Sequence, residues 1–580
     1  MKLTKRLLSL ALTALLLTCF CQLSYAEEPS LQCFTPAPGE NTSMYPLIFG
    51  AGAWHPLYKN EEPWLPKSIV TDVLGQTTDM ETIFSPENTL GADAGAMGSI
   101  LGALTSLDMD AFGGAMIQLW KNSYGPIAMD EEGKSIDQTI SCVIPYLTYL
   151  GTKYSTFTDN PAAYAALDPT MNAIKEAGYL AENQAFWTFD WRLNPIGNAD
   201  LLHEYIEKLI RLYGEGNSHP GGNHNGYYGE PFDKVNFNAI SGSGPIALAY
   251  LKKYGTTRLA SLVFNISMHA GSTLFGNIAL GDFGFDAASL AQGGLSMFGL
   301  QDSKVDGDSP FGLPPWLIGG LYQMGVLDGL LKTFNFAARG AYKKFYEDAL
   351  IPIWFQMPVY LCMIPNKDYK AAKKYLFNGD SKYAKLLADT DEYHNIMAMQ
   401  DELILQAASE IKLSVRVGYG NSLSPYAIGA NVSSDKLVDT HYASLGATCA
   451  PPGRPFSFLY RQKKFCGTNY MSPDRYVDAS TCLLPDVTWF AKDLPHTAQW
   501  DYSGWYGWWL AAGDYTIWDD DRFPQYSQWI AKEEGETADS FIPLKVTTPP
   551  WIANLKSIGL WLLQAWRWFI LLPLFWMNCL

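Results

Sequence analysis

The sequence has little positive charge. Its 41 Lys and Arg residues are outnumbered by 58 Asp and Glu residues, which gives a formal net charge of −17 with histidine neutral. A nucleic acid partner requires a basic surface that neutralises phosphates. The composition therefore argues against nucleic-acid binding, and it fits a neutral or zwitterionic substrate better.

The sequence also lacks the Cys and His spacings that are typical of metal sites. None of the nine cysteines belongs to a CxxC pair, and no paired Cys/His spacing suggests zinc. The sequence also has no internal repeat and no low-complexity linker. We therefore expect a globular protein that works without a metal or other cofactor.

Apolar and aromatic residues are plentiful. Hydrophobic residues make up 48% of the 580 residues and charged residues only 17%, so the chain is globular rather than disordered. The 19 Trp, 33 Tyr and 29 Phe residues suit an apolar ligand or a membrane interface. They are equally compatible with a large aromatic core.

The first 26 residues have the pattern of a secretory signal peptide. A basic start is followed by an apolar run at residues 7–20, and Ser24 and Ala26 supply small residues at positions −3 and −1 of a cleavage site. Cleavage would take the net charge to about −20. We expect a secreted, lysosomal or lumenal, or membrane-associated protein, in a compartment that permits disulfides. Of three glycosylation sequons, those at Asn41 and Asn431 lie in polar stretches, whereas Asn265 falls in a predicted buried strand.

Strands and helices alternate through the first half of the chain. Apolar periodicity and turn residues predict strands at residues 45–50, 186–189, 235–240 and 259–266, and helices at 170–179, 201–212 and 245–254. This alternation implies a mostly parallel sheet wrapped by helices, the α/β class. Helices and Gly-rich loops then interrupt it at 275–410, which we interpret as a cap or lid. The α/β-hydrolase core would thus comprise residues 27–274 and 411–548, resuming with a strand at 415–418.

A sharp strand–turn–helix follows the third predicted strand. Residues 239–243 read AISGS, with small residues two before and two after Ser241. A nucleophile elbow requires this smallness because larger side chains would collide in so tight a turn. A plain Gly/Ser turn would carry the same letters. Ser243 is the competing nucleophile, but Ser241 stands nearer the end of the strand.

A serine nucleophile needs a base and an acid that orients the base. In α/β-hydrolases the acid and then the histidine follow the serine in the chain. The histidines after Ser241 are His269, His394, His441 and His496. His496 is the last and lies in a loop-like context, DLPHT. Asp474, in the turn sequence SPDRYV, is the candidate acid.

Several segments together resemble one family of lipid enzymes. The stretch IKEAGY at 174–179, the tetrapeptide FDWR at 189–192, and the elbow followed by GP and LAYL closely resemble the lecithin:cholesterol acyltransferase family. That family includes lysosomal phospholipase A and phospholipid:diacylglycerol acyltransferase relatives, and carries "YDWR", "HSMGGP" and a later "GDGTV…S…C" block. The stretch PDRYVDASTC at 473–482 resembles this block, and His496 follows it as a histidine does in the family. The likeness spans roughly residues 45–500, with gaps.

The sequence departs from the family pattern at four places. Ile240 replaces the histidine before the serine, Ser243 replaces a glycine, and PDRY at 473–476 replaces "GDGT". The segment at 213–232 is also longer than in the family. The catalytic residue types are retained.

The resemblance implies roles for further residues. Backbone N–H groups of Gly242 and Ala51 would form the oxyanion hole, worth about 3 kcal/mol each. Asp190 and Arg192 would form a buried structural pair near the pocket. The family's bridged cysteine after the acid implies a disulfide from Cys482 to Cys449 or Cys466.

The end of the chain is strongly apolar. Residues 557–580 contain Arg567 as their one charge and four Trp spread along the segment. A membrane anchor, an interfacial helix, a removed lipid-anchor signal and a packed core helix all fit this composition. Because Arg567 falls near the middle and the Trp residues are not gathered at the ends, we expect residues 549–580 to associate peripherally with membranes.

These observations predict a lipid O-acyltransferase or phospholipase that forms an acyl-Ser241 intermediate. Its partners would be a phospholipid substrate, an alcohol acceptor such as a sterol or diacylglycerol, and a membrane or lipid surface. A catalytically weak or silent lipid-binding protein on the same fold is the alternative, because the elbow lacks its usual glycines. The oligomeric state is left open by the sequence.

Overall fold

The computed structural model describes the chain in blocks. The described residues are 42, 45–50, 52, 57–59, 62–64, 108–141, 184–214, 232–289, 291, 321–322, 324–423, 427–429, 431–457, 459–464, 467–496, 505, 508–510, 516–519, 526–532 and 541–545.

A mixed sheet organises the described chain. Its strands and those of two small sheets are, in chain order, β1 (Leu47–Gly50), β2 (Leu57–Lys59), β3 (Glu62–Trp64), β4 (Ile140–Ser141), β5 (Gln184–Trp187), β6 (Val235–Ile240), β7 (Leu259–Asn265), β8 (Lys412–Tyr419), β9 (Thr448–Cys449), β10 (Val477–Asp478), β11 (Thr488–Lys492), β12 (Trp529–Lys532) and β13 (Phe541–Pro543). The main sheet has eight strands in the order β13-β12-β11-β8-β7-β6-β1-β5. Its neighbours from β5 to β12 pair in parallel, and β13 pairs antiparallel with β12.

The strand order reverses direction at β1. The chain passes from β1 to β5 on one side and then returns to β6 on the other side of β1. In open α/β sheets, ligands bind outside the carboxyl ends of strands at such a switch point. The residues that immediately follow β1 and β6 therefore occupy the place where this topology favours a site.

Helices cover the sheet and occupy much of the described part of the segment between β7 and β8. They are α1 (Met109–Tyr124), α2 (Pro195–Leu209), α3 (Ser243–Tyr254), α4 (Thr273–Ala279), α5 (Ala287–Ser289), α6 (Val326–Ala337), α7 (Arg339–Phe345), α8 (Pro358–Cys362), α9 (Asn366–Phe377), α10 (Ala384–Met397), α11 (Gln400–Glu410) and α12 (Thr440–Ala443). Within the described ranges, no helix is both long and apolar enough to cross a membrane.

The central strands are buried on both faces. Every residue of β6, β7 and β8 is buried, as expected for parallel strands covered by helices. Two of their buried polar side chains are hydrogen-bonded: Ser261 Oγ donates to Asn236 Oδ1 at 2.6 Å, and Asn236 Nδ2 donates to the Thr42 carbonyl at 2.7 Å. Such pairing removes most of the cost of burying these groups.

Local sequence signals set the ends of the helices beside the site. Asn194 caps α2 by accepting from the Ile196 N–H at 2.9 Å, and Pro195 follows as the first helical residue. Gly255 ends α3 with a φ of 65°, a left-handed conformation that favours glycine.

The mixed α/β class and the mostly parallel sheet predicted from the sequence are confirmed. The predicted strands at 186–189, 235–240 and 259–266 correspond to β5, β6 and β7. The predicted strand at 415–418 is the middle of the longer β8, and β11, β12 and β13 were not predicted. The described part of 275–410 adds no strand to the sheet. The signal peptide, the helix at 170–179 and the tail at 549–580 lie outside the described residues.

The cysteines near the predicted acid are not bridged in the structure. Cys449 and Cys482 are both free thiols, although the disulfide prediction joins Cys482 to Cys449 or to Cys466. Burial raises the pKa of the Cys482 thiol to about 12. Cys466 lies outside the described residues.

Candidate active site

Ser241 occupies a strained turn between β6 and α3. Its φ is 49°, in the left-handed region that non-glycine residues rarely adopt. Such a conformation costs about 1–3 kcal/mol and persists only where the surroundings impose it. Three backbone hydrogen bonds do so here: the Ser241 N–H donates to the Asn265 carbonyl, and the Ser241 carbonyl accepts from the N–H groups of Gly244 and Met268, all at 3.0–3.2 Å.

The turn leaves no room for larger side chains around the serine. A Cβ placed on Gly244 would lie 1.6 Å from Ser267 Oγ. A Cβ placed on Gly50, at the end of β1, would lie 2.7 Å from Ser243 Oγ. Ala239 is fully buried beside Gly50 in the sheet register. The smallness read from the AISGSG sequence is therefore a packing requirement of this turn.

Ser243 is held in a structural role. Its Oγ donates to the Ile240 carbonyl at 2.7 Å, and the residue is completely buried. The hydroxyl lies against Gly50, where an added Cβ would approach it to 2.7 Å. Of the two candidate serines, Ser241 is the one whose hydroxyl contacts a histidine.

His496 contacts the Ser241 hydroxyl directly. The distance from His496 Nε2 to Ser241 Oγ is 2.8 Å, although the residues are 255 positions apart. His496 follows β11, which brings it to the same carboxyl edge of the sheet as Ser241. Its side chain is 12% exposed, so the imidazole reaches the surface of the site. The structure thus brings together two of the residues predicted from the sequence.

Asp435 supplies the carboxylate behind the histidine. Its Oδ2 lies 2.8 Å from His496 Nδ1, and its carbonyl accepts from the His496 N–H at 2.7 Å. The other carboxylate oxygen, Oδ1, accepts from the N–H groups of Leu437 at 3.1 Å and Val438 at 2.8 Å. Because a carboxylate oxygen only accepts, Nδ1 carries the proton and Nε2 is left to accept from Ser241.

The turn that carries Asp435 is tied to the start of α4. Ser272 Oγ donates to the Leu437 carbonyl at 2.8 Å, and the Thr273 N–H donates to Asp439 Oδ2 at 2.7 Å. Burial raises the pKa of the Asp439 carboxyl. These bonds fix the acid turn, residues 434–439, against the loop that follows β7.

Asp474, the acid predicted from the sequence, does not contact His496, and this prediction is corrected by the structure. Its Oδ2 pairs with Lys492 Nζ at 3.0 Å and accepts from the Tyr419 hydroxyl at 3.2 Å. Lys492 and Tyr419 are the last residues of β11 and β8. Asp474 therefore braces the ends of the strands that precede His496 and Asp435, and it takes no part in the hydrogen-bonded chain from Ser241.

Two turns of the same kind explain the wrong choice of acid. Asp435 and Asp474 are each followed three residues later by valine, Val438 and Val477. The residue after each aspartate has a positive φ, 80° at Lys436 and 64° at Arg475. Both turns lie between the nucleophile and His496 in the chain, so residue type and order favour neither. One signal in the sequence pointed to Asp435: it is the first aspartate after the predicted strand at residues 415–418.

Of the two oxyanion donors predicted from the resemblance, Gly242 is described by the structure and directly follows Ser241. Gly242 is the N-cap of α3, and N–H groups at a helix N-terminus have no partner within the helix. Ala51 lies outside the described residues, but its neighbour Gly52 is described. A Cβ placed on Gly52 would lie 3.5 Å from Ser241 Cβ, so Gly52, two residues after β1, lies directly beside the nucleophile.

The other candidate histidines bond to groups other than Ser241, and two of them, His269 and His394, are buried. His269 Nδ1 lies 2.9 Å from Ser267 Oγ, and burial lowers its pKa to about 3. His394 stacks on Tyr369 with ring centroids 3.5 Å apart, and burial lowers its pKa to about 4. His441 Nδ1 bonds to the Ala447 carbonyl at 2.8 Å.

Asp190 and Arg192 form a buried bidentate pair. Arg192 Nε donates to Asp190 Oδ1 at 2.9 Å, and Nη2 donates to Oδ2 at 2.6 Å. Arg192 is fully buried, and its Nη1 also donates to the Ile127 carbonyl at 3.1 Å. The pair joins the end of β5 to the segment after α1. Its geometry is that of a structural brace, because both groups are satisfied by one another and by backbone.

Metal-ligating side chains do not cluster in the described part of the chain. No group of three or more His, Cys, Asp and Glu residues there is arranged to hold a metal ion. The arrangement at the carboxyl edge of β6, β8 and β11 is instead a serine, a histidine and an aspartate in one hydrogen-bonded line. Such a line activates a serine hydroxyl as a nucleophile.

Comparisons with known proteins give little further information. No protein-family model matches the chain, and no curated protein matches it. A solved structure titled "The crystal structure of Tle4-Tli4 complex" matches with a TM-score of 0.29 and 13% identity, covering 80% of this chain and 97% of that chain. A TM-score this low carries no argument about fold or activity.

Proposed function

We propose that this protein is a serine acyl-ester enzyme of the α/β-hydrolase type that acts on lipids. It would move a fatty acyl group from a phospholipid to an alcohol acceptor, such as a sterol or diacylglycerol, or to water. The observation that carries the proposal is the line Ser241 Oγ–His496 Nε2 and His496 Nδ1–Asp435 Oδ2, with both distances at 2.8 Å.

The order of these residues along the chain supports the α/β-hydrolase assignment. Ser241 follows β6, Asp435 follows β8 and His496 follows β11. The same order of serine, acid and histidine, with the serine in a strained strand-to-helix turn, is the pattern of that fold. The helical segment at 275–410 would then be the cap over the site.

The first chemical step would form the acyl-enzyme. Ser241 Oγ attacks the ester carbonyl carbon while its proton passes to His496 Nε2. Asp435 holds the imidazole in the tautomer that accepts this proton and stabilises the resulting imidazolium. The tetrahedral intermediate then collapses, the C–O bond of the ester breaks, and His496 returns the proton to the leaving alcohol.

The negative charge of the tetrahedral intermediate would be held by backbone donors. Gly242 offers its N–H at the start of α3, and Ala51, next to Gly52, is proposed as the second donor. Each such donor lowers the barrier by about 3 kcal/mol because it is already oriented towards the charge as it develops. Neither donor requires a side chain, which is consistent with the small residues at both places.

The second step would release the acyl group. Water or an alcohol loses a proton to His496 as its oxygen attacks the acyl-Ser241 carbonyl, and Ser241 Oγ leaves with a proton from the same histidine. Hydrolysis and transfer use the same residues and differ in the molecule that reaches the acyl-enzyme. The acceptor is therefore decided by access to the site.

The lipid substrate class is proposed from the resemblance of FDWR at 189–192 and of the elbow to the lecithin:cholesterol acyltransferase family. The predicted signal peptide and the apolar tail at 549–580 suit an enzyme of the secretory pathway that works at a membrane or lipoprotein surface. A net charge of −17 is compatible with zwitterionic phospholipids as substrates.

Product analysis tests this proposal. The protein is incubated with phosphatidylcholine carrying a labelled acyl chain, with and without cholesterol or diacylglycerol. We expect lysophospholipid together with either free fatty acid or an acylated acceptor, and no product from Ser241→Ala. Absence of any acyl cleavage by the intact protein would leave the lipid-binding alternative in its place.

A further inference from the structure

Helix α6 presents apolar side chains to solvent. Met324 just before it and Val326, Leu330 and Phe336 within it are 57%, 44%, 60% and 66% exposed. Not one residue of α6 is fully buried. Single exposed apolar residues are ordinary on protein surfaces, but four within thirteen residues form a patch of the kind that marks an interaction surface.

The exposed patch is distinct from the face of α6 that packs on the protein. Phe334 lies on the inner face, where its ring contacts Phe112 at a centroid distance of 5.6 Å in an edge-to-face arrangement. At 100° per residue, Val326 and Leu330 lie about 80° and 40° from Phe334, and about 180° and 140° from Asn335, whose side chain bonds to Phe285. Val326 and Leu330 therefore face away from Asn335, and no neighbour in the described part of the chain buries them.

Basic side chains border the patch. Helices α6 and α7 carry Lys332, Arg339, Lys343 and Lys344 against the carboxylate of Asp328, and Glu347 and Asp348 follow α7, which leaves a charge of +1 over residues 326–348 in a chain of −17. Lys332 pairs with Asp328 at 2.9 Å and Lys343 with Glu347 at 3.8 Å, both at the surface. Lys332 and Lys343 are each 77% exposed, and the Arg339 guanidinium lies 4.7 Å from the centre of the Phe336 ring. Apolar side chains bordered by Lys and Arg are the pattern of a helix that lies in a membrane interface.

Hydrogen bonds connect α6, through the segment at Phe285 and Asp286, to the loop that precedes the acid turn. The Asn335 side chain accepts from the Phe285 N–H and donates to its carbonyl, at 3.0 and 2.9 Å. One residue on, Asp286 Oδ2 accepts from the Gly429 N–H at 3.0 Å. This loop after β8 continues to Ser434, directly before Asp435. Since these loops all follow the carboxyl ends of β7 and β8, α6 belongs to the same side of the sheet as Ser241.

We propose that α6 and α7 form a docking surface for an anionic lipid interface. Met324, Val326, Leu330 and Phe336 would enter the boundary between headgroups and acyl chains, while the four basic residues contact lipid phosphates and carboxylates. The proposal rests on the proposed function, because docking on this side of the sheet brings Ser241 to the surface that holds its substrate.

The test measures binding of the full chain to vesicles by flotation. Phosphatidylcholine vesicles with and without a minor fraction of phosphatidylserine are used, with Ser241→Ala present in every protein so that no lipid is consumed. Leu330→Ser/Phe336→Ser is compared with Leu201→Ser/Ile136→Ser, a matched pair of exposed apolar residues elsewhere, at 45% and 66% exposure. We expect binding to fall about tenfold or more in the first variant and to stay unchanged in the second.

A second variant tests the role of the basic side chains. It gives a result even if the apolar substitutions prevent folding. Lys343→Gln/Lys344→Gln alters two exposed side chains. It should weaken binding to the phosphatidylserine-containing vesicles several-fold and leave binding to pure phosphatidylcholine unchanged. Binding equal to that of the parent chain in either the apolar or the charge variant overturns the proposal. So does a shift from dimer to monomer in Leu330→Ser/Phe336→Ser with vesicle binding intact, which would assign the patch to a second copy.

Turnover of a water-soluble short-chain ester separates this proposal from the proposed function. With Ser241 restored, Leu330→Ser/Phe336→Ser should cleave that ester at the parent rate. If the parent protein cleaves no ester while vesicle binding still depends on Leu330 and Phe336, the enzyme assignment fails and the docking surface stands.

Discussion

Replacing Asp435 by asparagine should trap His496 in the wrong tautomer. Oδ1 of Asp435 accepts from two backbone N–H groups, those of Leu437 and Val438. The amide oxygen of the introduced asparagine must therefore stay there, and its NH₂ group must face His496 Nδ1. That nitrogen then becomes an acceptor, the proton moves to Nε2, and His496 can no longer accept the proton of Ser241.

The expected loss of kcat in Asp435→Asn is about 10⁴-fold, as for the same change in serine enzymes with this triad. This corresponds to about 5.5 kcal/mol of lost transition-state stabilisation. A flipped amide offers no escape, because it would turn NH₂ against two backbone donors. Leaving each of those donors unsatisfied costs about 1–3 kcal/mol.

The assay is turnover of a soluble short-chain ester, with Asp474→Asn as the matched control. Asp474 sits in the same kind of turn but pairs with Lys492 and Tyr419. Its replacement should reduce the free energy of unfolding by about 1–2 kcal/mol while kcat stays within about tenfold of the parent value. Urea denaturation of both variants verifies that each is folded under assay conditions.

The reasoning is refuted if the two variants exchange their effects. A folded Asp474→Asn protein with a loss near four orders of magnitude, beside an Asp435→Asn protein of nearly normal kcat, would make Asp474 the acid and the observed contact with His496 irrelevant to catalysis.

Four further substitutions test individual parts of the structure. Ser241→Ala should abolish ester turnover. Ser243→Ala should retain it, since the Ser243 hydroxyl donates to a backbone carbonyl. The reverse result in the same assay would make Ser243 the nucleophile. Gly244→Ala places a Cβ 1.6 Å from Ser267 Oγ. We expect the free energy of unfolding, measured with urea, to fall by at least about 2 kcal/mol. An unchanged free energy of unfolding would count against the packing described for the elbow. Burial lowers the pKa of His269 to about 3. The unfolded chain takes up this proton at a higher pH than the folded protein does, at about pH 6.5. The contribution of neutral His269 to the free energy of unfolding is therefore complete above about pH 6.5 and is lost as pH falls towards 3. Between about pH 6 and pH 5, the free energy of unfolding of His269→Asn should therefore fall by about 1 kcal/mol less than that of the parent protein. Parallel profiles of unfolding free energy against pH would contradict this.

Local features of the site could be predicted from the sequence. The elbow around Ser241 is determined by neighbouring residues, since a buried strand, small residues and a helix follow one another within about twenty positions. His496 was accessible through chain order, because the fold places the histidine after the acid. The parallel sheet followed from the alternation of apolar strands and amphipathic helices.

The acid could not be chosen from the sequence because its choice depends on a contact between distant residues. Asp435 and His496 are 61 positions apart. In both turns the aspartate is followed by a basic residue with a positive φ and, three residues on, by valine. The difference arises from where β8 and β11 end, which directs one carboxylate to His496 and the other to Lys492. The last strands of the sheet, β11 to β13, were not predicted from the sequence.

Labelling with an active-site-directed fluorophosphonate tests the central claim most directly. The intact protein is treated with the probe, digested, and the modified residue is located by mass spectrometry. An activated serine next to a base reacts where an ordinary hydroxyl does not. The account predicts stoichiometric labelling of Ser241, abolished in His496→Ala. Labelling of a different residue, or none in the folded protein, would contradict it.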